Sequence, residues 1–229
     1  MANCVVQSNL MKLLLTGFEP FGGSSVNPSQ KIITALDRKS ILGMKIDGVV
    51  LPVDHLKGPA SLIKALERSS YDCILSLGEA SRRPAISIER VAVNLMDYRI
   101  PDNSGKTLVD TPIQPDGPAA YFSTLPVRYI LERLLGEGIP VELSLSAGAY
   151  LCNQVLYTVL DYLAKGKSST PAGFIHLPSL PEQAMSSGAV IPSMSFDTSL
   201  KGIELSIEVI GRWLKKKNDF GGVDETFPG

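Results

Sequence analysis

The chain alternates between short apolar runs and longer segments in which apolar residues recur at helical spacing. The run MKLLLTG at residues 11–17 is almost wholly apolar and ends in glycine, which is typical of a strand buried on both faces of a parallel sheet. The runs MKIDGVVLPV, YDCILSLG, VELSLSAG and AGFIHLP, which begin at residues 44, 71, 141 and 172, predict further strands of the same kind.

The segments between these runs predict helices. SQKIITALDR, PASLIKALERS and PVRYILERLLGEG each carry a helical apolar stripe, with Pro126 in the first turn of the last. A further helix is expected from Tyr150 to about Ala164. The final helix has Ile203, Ile207, Ile210 and Leu214 on one face and ends in the basic run 215–217, which suits a helix C-terminus.

Repeated strand–helix units predict an α/β fold, a three-layer α/β/α sandwich with a mostly parallel central sheet. In such sheets ligands bind beyond the carboxyl ends of the strands. The strands that end at Gly17, Gly78, Gly148 and His176 are therefore expected to bring their loops to one shared edge.

Two segments depart from this alternation. AISIERVAVN at residues 85–94 is rich in β-formers. Residues 97–118 are dense in Pro, Asp, Asn and Gly and are longer than an ordinary connection, so we expect a functional or interface loop with some strand of its own.

Length and charge limit the possible functions. The chain has 229 residues, 44% of them hydrophobic, and we expect a single domain over residues 11–217 between a flexible leader at 1–10 and a tail at 218–229. The 22 basic and 23 acidic residues give a formal net charge of -1. This balance provides no global field that would attract nucleic acid or an anionic membrane.

Cysteine use favours a reducing compartment. Cys4, Cys73 and Cys152 are too few and too scattered for a disulfide framework, and no C-x-x-C pair or His/Cys cluster suggests a metal site. The first ten residues lack a basic region and a sustained apolar run, and no later stretch reaches the ~18 apolar residues of a membrane span. We therefore expect a cytoplasmic protein.

The segment SAGAYLCNQVLY places Cys152 in the first turn of a predicted helix, where unpaired N–H groups favour a thiolate. His176 ends a predicted strand, whereas His55, the other histidine, precedes a helix. A thiol beside an imidazole is typical of nucleophilic catalysis. Unpaired cysteine is nevertheless most often a core residue, as we expect of Cys73. Position alone leaves Cys152 and His176 open between structural and catalytic roles.

Glu89 places a carboxylate inside an apolar β-like stretch, where a charge needs a partner. It is a candidate to hold the imidazole of His176, and the alternatives are a half-exposed strand face or a structural pair with Arg90. In a regular strand Glu89 and Arg90 face opposite sides, so both reach one site only if a bulge or loop intervenes.

Phe18 and Phe21 in GFEPFGG lie in a loop with no obvious helix or strand face to join. They are either satellite core residues or two walls of a slot for a flat ligand. The glycines of this loop match neither G-x-G-x-x-G nor a P-loop, which argues against a nucleotide phosphate site.

Five motifs in order, LLLTGFEPFGG, ERVAVNLMDYRIPDN, YFSTLPV, SAGAYLCNQVLY and GFIHLPSLPEQ, resemble the pyroglutamyl-peptidase I family, also called pyrrolidone-carboxylate peptidases. The resemblance runs from about residue 11 to about 216. It implies a cytosolic cysteine peptidase that removes an N-terminal pyroglutamyl (5-oxoprolyl) residue from peptides through a thioacyl-enzyme intermediate. It also implies no cofactor, an α/β/α sandwich, and assembly as a homotetramer or homodimer.

The resemblance further implies roles for individual residues. The family's nucleophile, histidine and glutamate match Cys152, His176 and Glu89. Its aromatic clamp for the lactam ring and the pocket residue beside the nucleophile match Phe18, Phe21 and Tyr150.

Other positions are matched with less detail. Arg90 matches an arginine implicated in stabilising the oxyanion, and Asn27 matches an asparagine of the first loop. One departure concerns GEASRR, where the family commonly reads Gly-Gln-Ala-Gly-Gly-Arg. Glu79 therefore stands at the glutamine position, which is compatible with lactam binding if backbone groups make the contact.

Two other functions fit the same residues. A different cysteine amidase or a nucleoside-processing enzyme would use the same sheet edge, with Phe18 and Phe21 stacking another ring. A non-catalytic assembly or binding protein would leave Cys152 as an unreactive core thiol.

Overall fold

The structure, a computed structural model, describes residues 10–186 and 188–219, with side chains up to residue 217. The predicted leader, except for Leu10, and the predicted tail from residue 220 onward lie outside the described residues, as does Cys4. None of the helices in the described part of the chain combines the length and apolar composition that a bilayer span requires.

The secondary structure follows the predicted alternation. The strands are β1 (Met11–Phe18), β2 (Ser40–Ile41), β3 (Met44–Leu51), β4 (Cys73–Glu79), β5 (Ile86–Glu89), β6 (Val91–Val93), β7 (Ala120–Phe122), β8 (Val141–Ser144) and β9 (Ala172–Leu177). The helices are α1 (Pro28–Leu36), α2 (Lys57–Arg68), α3 (Val127–Gly136), α4 (Leu151–Lys165), α5 (Pro181–Ser186) and α6 (Phe196–Asp219). No pattern in the sequence predicted β2, β7 or α5.

Seven strands form one sheet in the order β2-β3-β1-β4-β9-β5-β8, and β6 pairs with β7 in a separate ribbon. Strands β1, β3, β4 and β9 are mutually parallel. One apolar core lies between the sheet and α1, α3 and α6, and a second lies between the sheet and α2 and α4. The predicted three-layer α/β/α sandwich with a mostly parallel sheet is confirmed.

The prediction for β8 was wrong. We expected this strand to end at Gly148, at the same edge as β1, β4 and β9. Instead, β5 pairs antiparallel with β9 and β8 is parallel to β5, so β8 runs in the opposite direction to β9 and ends at Ser144. An apolar run predicts burial but carries no information about strand direction.

The segment 85–94 is two strands rather than one. β5 ends at Glu89, β6 begins at Val91, and Arg90 lies between them. Its N–H donates to Ser144 O and its carbonyl accepts from Ser123 N, at 2.8 Å each, so the chain leaves the large sheet at this residue. In one regular strand the side chains of Glu89 and Arg90 would face opposite sides, and the break between β5 and β6 removes this constraint.

Residues 97–118 form a long loop in which, among the described residues, the only β pairing is an isolated bridge between Met96 and Thr111. Polar side chains, one of them buried, fix it instead. Asp102 accepts hydrogen bonds from the backbone and the Nδ1 atom of His55, and Asn103 Nδ2 donates to Glu19 Oε1 at 2.8 Å. The loop is therefore tied to both the β1–α1 and β3–α2 connections.

The first loop, residues 19–27, ends at a helix cap. Asn27 is fully buried, and its Oδ1 atom accepts hydrogen bonds from the N–H and the hydroxyl of Ser29 at 2.9 and 2.7 Å. Its Nδ2 atom donates to Glu19 O at 3.1 Å. Ser29 Oγ in turn accepts from Phe18 N at 2.9 Å, so one amide side chain connects the end of β1 to the start of α1.

Asn27→Ala is expected to lower the free energy of unfolding by about 1 to 3 kcal/mol, because it removes a helix cap and leaves buried backbone groups unpaired. Urea unfolding at equilibrium measures this loss. The matched control is Thr34→Ala on the exposed side of the same helix, which is expected to stay within about 0.5 kcal/mol of the native chain. Equal effects of the two substitutions would contradict the role assigned to Asn27.

Candidate active site

One face of the sheet carries a row of polar side chains within an otherwise apolar strand set. Leu75 and Leu77 of β4 pack toward α1, α3 and α6, so the alternating residues Ser76 and Gly78 face α2 and α4. The same alternation turns buried polar residues of neighbouring strands to this face: Thr16, Ser87, Glu89 and His176. The row leads to the carboxyl edge of β4 and β9.

His176 and Glu89 form a buried pair on this face. The antiparallel register places Ser87 opposite His176 and Glu89 opposite Phe174, so Glu89 and His176 are diagonal neighbours. His176 Nδ1 lies 2.7 Å from Glu89 Oε1, and the two side chains are 5% and 0% exposed. The predicted proximity of these two residues is thus present in the structure.

The charge state of Glu89 determines which imidazole nitrogen is available. Burial alone raises the pKa of Glu89, but the hydrogen bond and charge of His176, with Ser144 and Arg83, bring it below its usual value. An ionised carboxylate only accepts hydrogen bonds, so Nδ1 of His176 carries the proton that faces it. The Nε2 atom is left to exchange a proton with another group.

Cys152 is the second residue of α4 and is half-buried. Tyr150 is the N-cap, and the first intrahelical bond runs from Gln154 N to Tyr150 O at 3.1 Å, so the N–H groups of residues 151–153 precede it. The Sγ atom lies directly over Gly78, since a Cβ built there would be 2.8 Å from Sγ. Gly78 is also the strand partner of His176, so the thiol and the imidazole share one neighbour.

The surroundings of Cys152 favour the protonated thiol. Burial raises its pKa, the negative charges of Glu89 and Glu79 raise it further, and the nearby cation of Arg83 opposes them. Cys73 is fully buried in the opposite core, and burial raises its pKa also. The two thiols differ in access: Cys152 is half-buried at the sheet edge, whereas Cys73 is closed off.

The aromatic candidates are not equivalent. Phe21 is half-buried with its ring centroid 6.1 Å from that of Tyr150, whereas Phe18 is 3% exposed and packs in the core beneath α2 and α4. A residue that the sequence analysis missed, Tyr98, meets Tyr150 edge-on at 4.6 Å and donates from its hydroxyl to Gln154 Oε1 at 2.7 Å. The rings of Phe21 and Tyr98 thus both lie beside that of Tyr150, which precedes Cys152 by two residues.

The carboxylate of Glu79 is engaged within the protein. Ser179 Oγ donates to Oε1 at 2.6 Å, and Gln183 Nε2 lies 3.0 and 3.1 Å from its two oxygens. The same Nε2 atom lies 3.1 Å from Ser24 Oγ and 3.3 Å from Val26 O. Gln183, on α5, therefore joins the end of β4 to the first loop, a role that no pattern in the sequence indicated.

The two arginines near Glu89 behave differently. Arg90 is half-buried, and its guanidinium makes no hydrogen bond or ion pair with any described residue. Arg83, which the sequence analysis did not single out, donates from Nη1 to Glu89 Oε1 at 2.6 Å and from Nη2 to Ser146 O at 2.6 Å. Its place just after β4, at the expected ligand edge, was the signal that could have identified it.

Asp54, His55 and Asp102 are the one described group of acidic and histidine side chains close enough to share a metal ion. Asp102 already accepts hydrogen bonds from His55, Ser104 and Lys106 on its two oxygens. Asp54 Oδ1 caps α2 by accepting from the N–H groups of residues 56 and 57. These hydrogen bonds indicate a structural role: the cluster connects the loop at residues 97–118 to the start of α2.

Comparisons with known proteins lead to one family. The family model described as "Pyroglutamyl peptidase" matches residues 11–213. The pyrrolidone-carboxylate peptidase of Pyrococcus furiosus is 46% identical over 202 residues, covering 87% of this chain and 97% of that protein. That of Gloeobacter violaceus is 47% identical, with the same coverage. A crystal structure of pyrrolidone carboxyl peptidase from P. furiosus matches with a TM-score of 0.86 and 46% identity, covering 89% of this chain and 100% of that one.

Gly78→Ala is expected to lower the free energy of unfolding by about 1 to 3 kcal/mol, because its Cβ would lie 2.8 Å from both Cys152 Sγ and Phe174 Cζ. Removing Sγ in a Cys152→Ala background should recover part of that loss in a double-mutant cycle. Gly136→Ala on α3 is the control, since nothing lies within 4 Å of its Cβ position. Equal losses in both backgrounds would contradict the placement of Sγ over Gly78.

Proposed function

The chain belongs to the pyroglutamyl peptidase family, cysteine peptidases that remove an N-terminal pyroglutamyl residue from peptides, and we propose that Cys152, His176 and Glu89 carry out this hydrolysis. The observation that carries the proposal is that Cys152 and His176 both lie beside Gly78 while Glu89 contacts His176. Cys152 Sγ lies over this glycine, His176 is its strand partner, and Glu89 holds the Nδ1 atom of His176.

The first step is acylation. Because its surroundings favour the protonated thiol, Cys152 loses its proton to His176 Nε2 as Sγ attacks the pyroglutamyl carbonyl. Glu89 stabilises the imidazolium that forms, and His176 then returns the proton to the departing amine. This step leaves the pyroglutamyl group on sulfur as a thioester.

The second step is hydrolysis. His176 takes a proton from water, which attacks the thioester, and the thiol leaves with that proton restored. The oxyanion of each step is stabilised by the Cys152 N–H and by Arg90. Two features support these donors: Cys152 lies in the first turn of α4, and the Arg90 guanidinium has no partner among the described residues.

We propose that the lactam ring binds against Phe21 and Tyr150, with Phe18 beneath. The 6.1 Å spacing of the first two rings and their place beside Cys152 support this arrangement. The Glu79 carboxylate is already engaged by Ser179 and Gln183, which favours lactam recognition by backbone groups at this position. A site that pairs the lactam N–H and C=O discriminates strongly against a substrate that lacks them.

We further propose a homotetramer or homodimer in the cytoplasm, with the peptidase domain spanning residues 11–217. Cys73 and Cys152 are both unpaired, which supports a reducing compartment. Phe122 is 69% exposed and shares the outward face of the β6–β7 ribbon with Val91 and Val93. Leu145, also 69% exposed, follows Ser144, which pairs with Arg90 at the base of the ribbon. This apolar patch supports contact between copies of the chain.

Cys152→Ser is expected to lower release of a chromophoric amine from a pyroglutamyl amide by at least about a thousandfold, because the thiol is the nucleophile. Initial rates at saturating substrate measure the effect. Cys73→Ala is the control and should cleave at nearly the native rate, and the corresponding prolyl amide should not be cleaved. Activity in Cys152→Ser equal to that of the native chain would rule out the proposed nucleophile.

Phe122→Glu is expected to shift the molar mass from light scattering toward the single-chain value, because it places a charge within the apolar patch. Val190→Glu is the matched control at another exposed apolar position and should leave the mass unchanged. A native chain that is a monomer at micromolar concentration, or a Phe122→Glu variant with the native mass, would contradict this interface.

A further inference from the structure

The guanidinium of Arg83 contacts two separate parts of the site. Nη1 donates to Glu89 Oε1 at 2.6 Å and lies 3.3 Å from Ser144 Oγ. Nη2 donates to Ser146 O at 2.6 Å. Arg83 itself is held by its N–H bond to Ala80 O, in the turn that follows β4.

One contact leads to His176 through Glu89, and the other leads to Cys152 through Ser146. Glu89 Oε1 is also the acceptor for His176 Nδ1, whereas Glu89 Oε2, although buried, has no partner among the described residues. Ser146 begins the short segment that leads to the N-cap Tyr150 and then to Cys152. One planar group therefore touches both the partner of the histidine and the segment that carries the nucleophile.

We propose that Arg83 is a positioning residue of the peptidase reaction, whose two guanidinium arms fix the Glu89–His176 pair relative to the segment that carries Cys152. This inference rests on the proposed roles of Cys152, His176 and Glu89. Arg83 touches neither the thiol nor, by this proposal, the substrate, so it acts through Glu89 and Ser146.

The chemistry of the site requires arginine here. The Glu89 side chain is fully buried and that of Arg83 is 27% exposed, so solvent screens this pair far less than a surface pair. A guanidinium presents parallel donors in a rigid plane, whereas the lysine ammonium is a point charge on a flexible stem. Lysine would keep the charge near Glu89 but would lose the simultaneous bond to Ser146 O.

Arg83 is also a cation close to several acidic groups. The titratable and charged groups around Cys152 are Glu79 on β4, Glu89 on β5, His176 on β9, Tyr98 and Tyr150 on the facing loop and helix start, and Arg90, in its proposed role, between β5 and β6. Removing the cation favours the protonated forms of its neighbours, Cys152 and Glu89 among them. The acid limb of the pH–rate profile should therefore move to higher pH when the charge at residue 83 is lost.

The test compares Arg83→Met, Arg83→Lys and the control Arg82→Met in the full chain, with kcat and KM for a pyroglutamyl amide measured across pH. Arg82 is exposed, so its substitution removes one charge from the same turn without touching the site. Arg83→Met should lower kcat by about 10- to 100-fold, the loss expected for hydrogen bonds to a charged group, with KM little changed and the acid limb at higher pH.

Arg83→Lys should return the acid limb to its native position while kcat stays below the native value. Arg82→Met should match the native chain. A native kcat and pH profile in Arg83→Met would overturn the inference. So would a loss of kcat no larger than the fraction of this variant that is unfolded, as measured by circular dichroism. If Arg83→Met does not fold, a folded Arg83→Lys with native kcat overturns it and one with reduced kcat supports it. Full activity in Cys152→Ser would instead remove the proposed function on which the inference rests.

Discussion

The site depends on burying one negative charge inside the sheet. Glu89 is fully buried, and an ionised carboxylate there is stable only with partners that offset the loss of water. His176 and Arg83 both donate to its Oε1 atom. They do so because β5 enters the sheet antiparallel to β9, which sets Glu89 diagonally beside His176 on one face. The reversed direction of β5 thus places the carboxylate inside the sheet, opposite Phe174 in the middle of β9 and two residues further from the carboxyl edge than His176.

Much of the fold was predictable because its central strands are buried on both faces. Continuous apolar runs mark β1, β4 and β9, and the helical stripes between them mark α1, α2, α4 and α6. Strand direction was not predictable, since the same apolar run describes β8 whichever way it lies. The end of β5 was only partly predictable: Glu89 and Arg90 required a break between them, but no glycine or proline marked it.

The candidate site was predictable where its residue types are rare in the sequence. A chain with two histidines and three cysteines offers few pairings, and strand ends selected Cys152 and His176 from them. Placement after β4 applies equally to Arg82 and Arg83, although one is exposed and the other is tied to Glu89. Tyr98 was hidden for a different reason. It lies in an irregular loop that is fixed by side-chain hydrogen bonds, and such bonds leave no periodic pattern.

The amide of Gln183 connects the loop that carries Phe21 to β4 and to the segment after β9. Its Nε2 atom reaches Ser24 and Glu79, while its Oε1 atom accepts from Leu180 N at 2.8 Å, three residues after the end of β9. The loop that carries Phe21 therefore cannot swing away without breaking these bonds or dragging the connection that follows His176. One amide side chain thus sets the position of the loop beside Tyr150 relative to both β4 and the segment after β9.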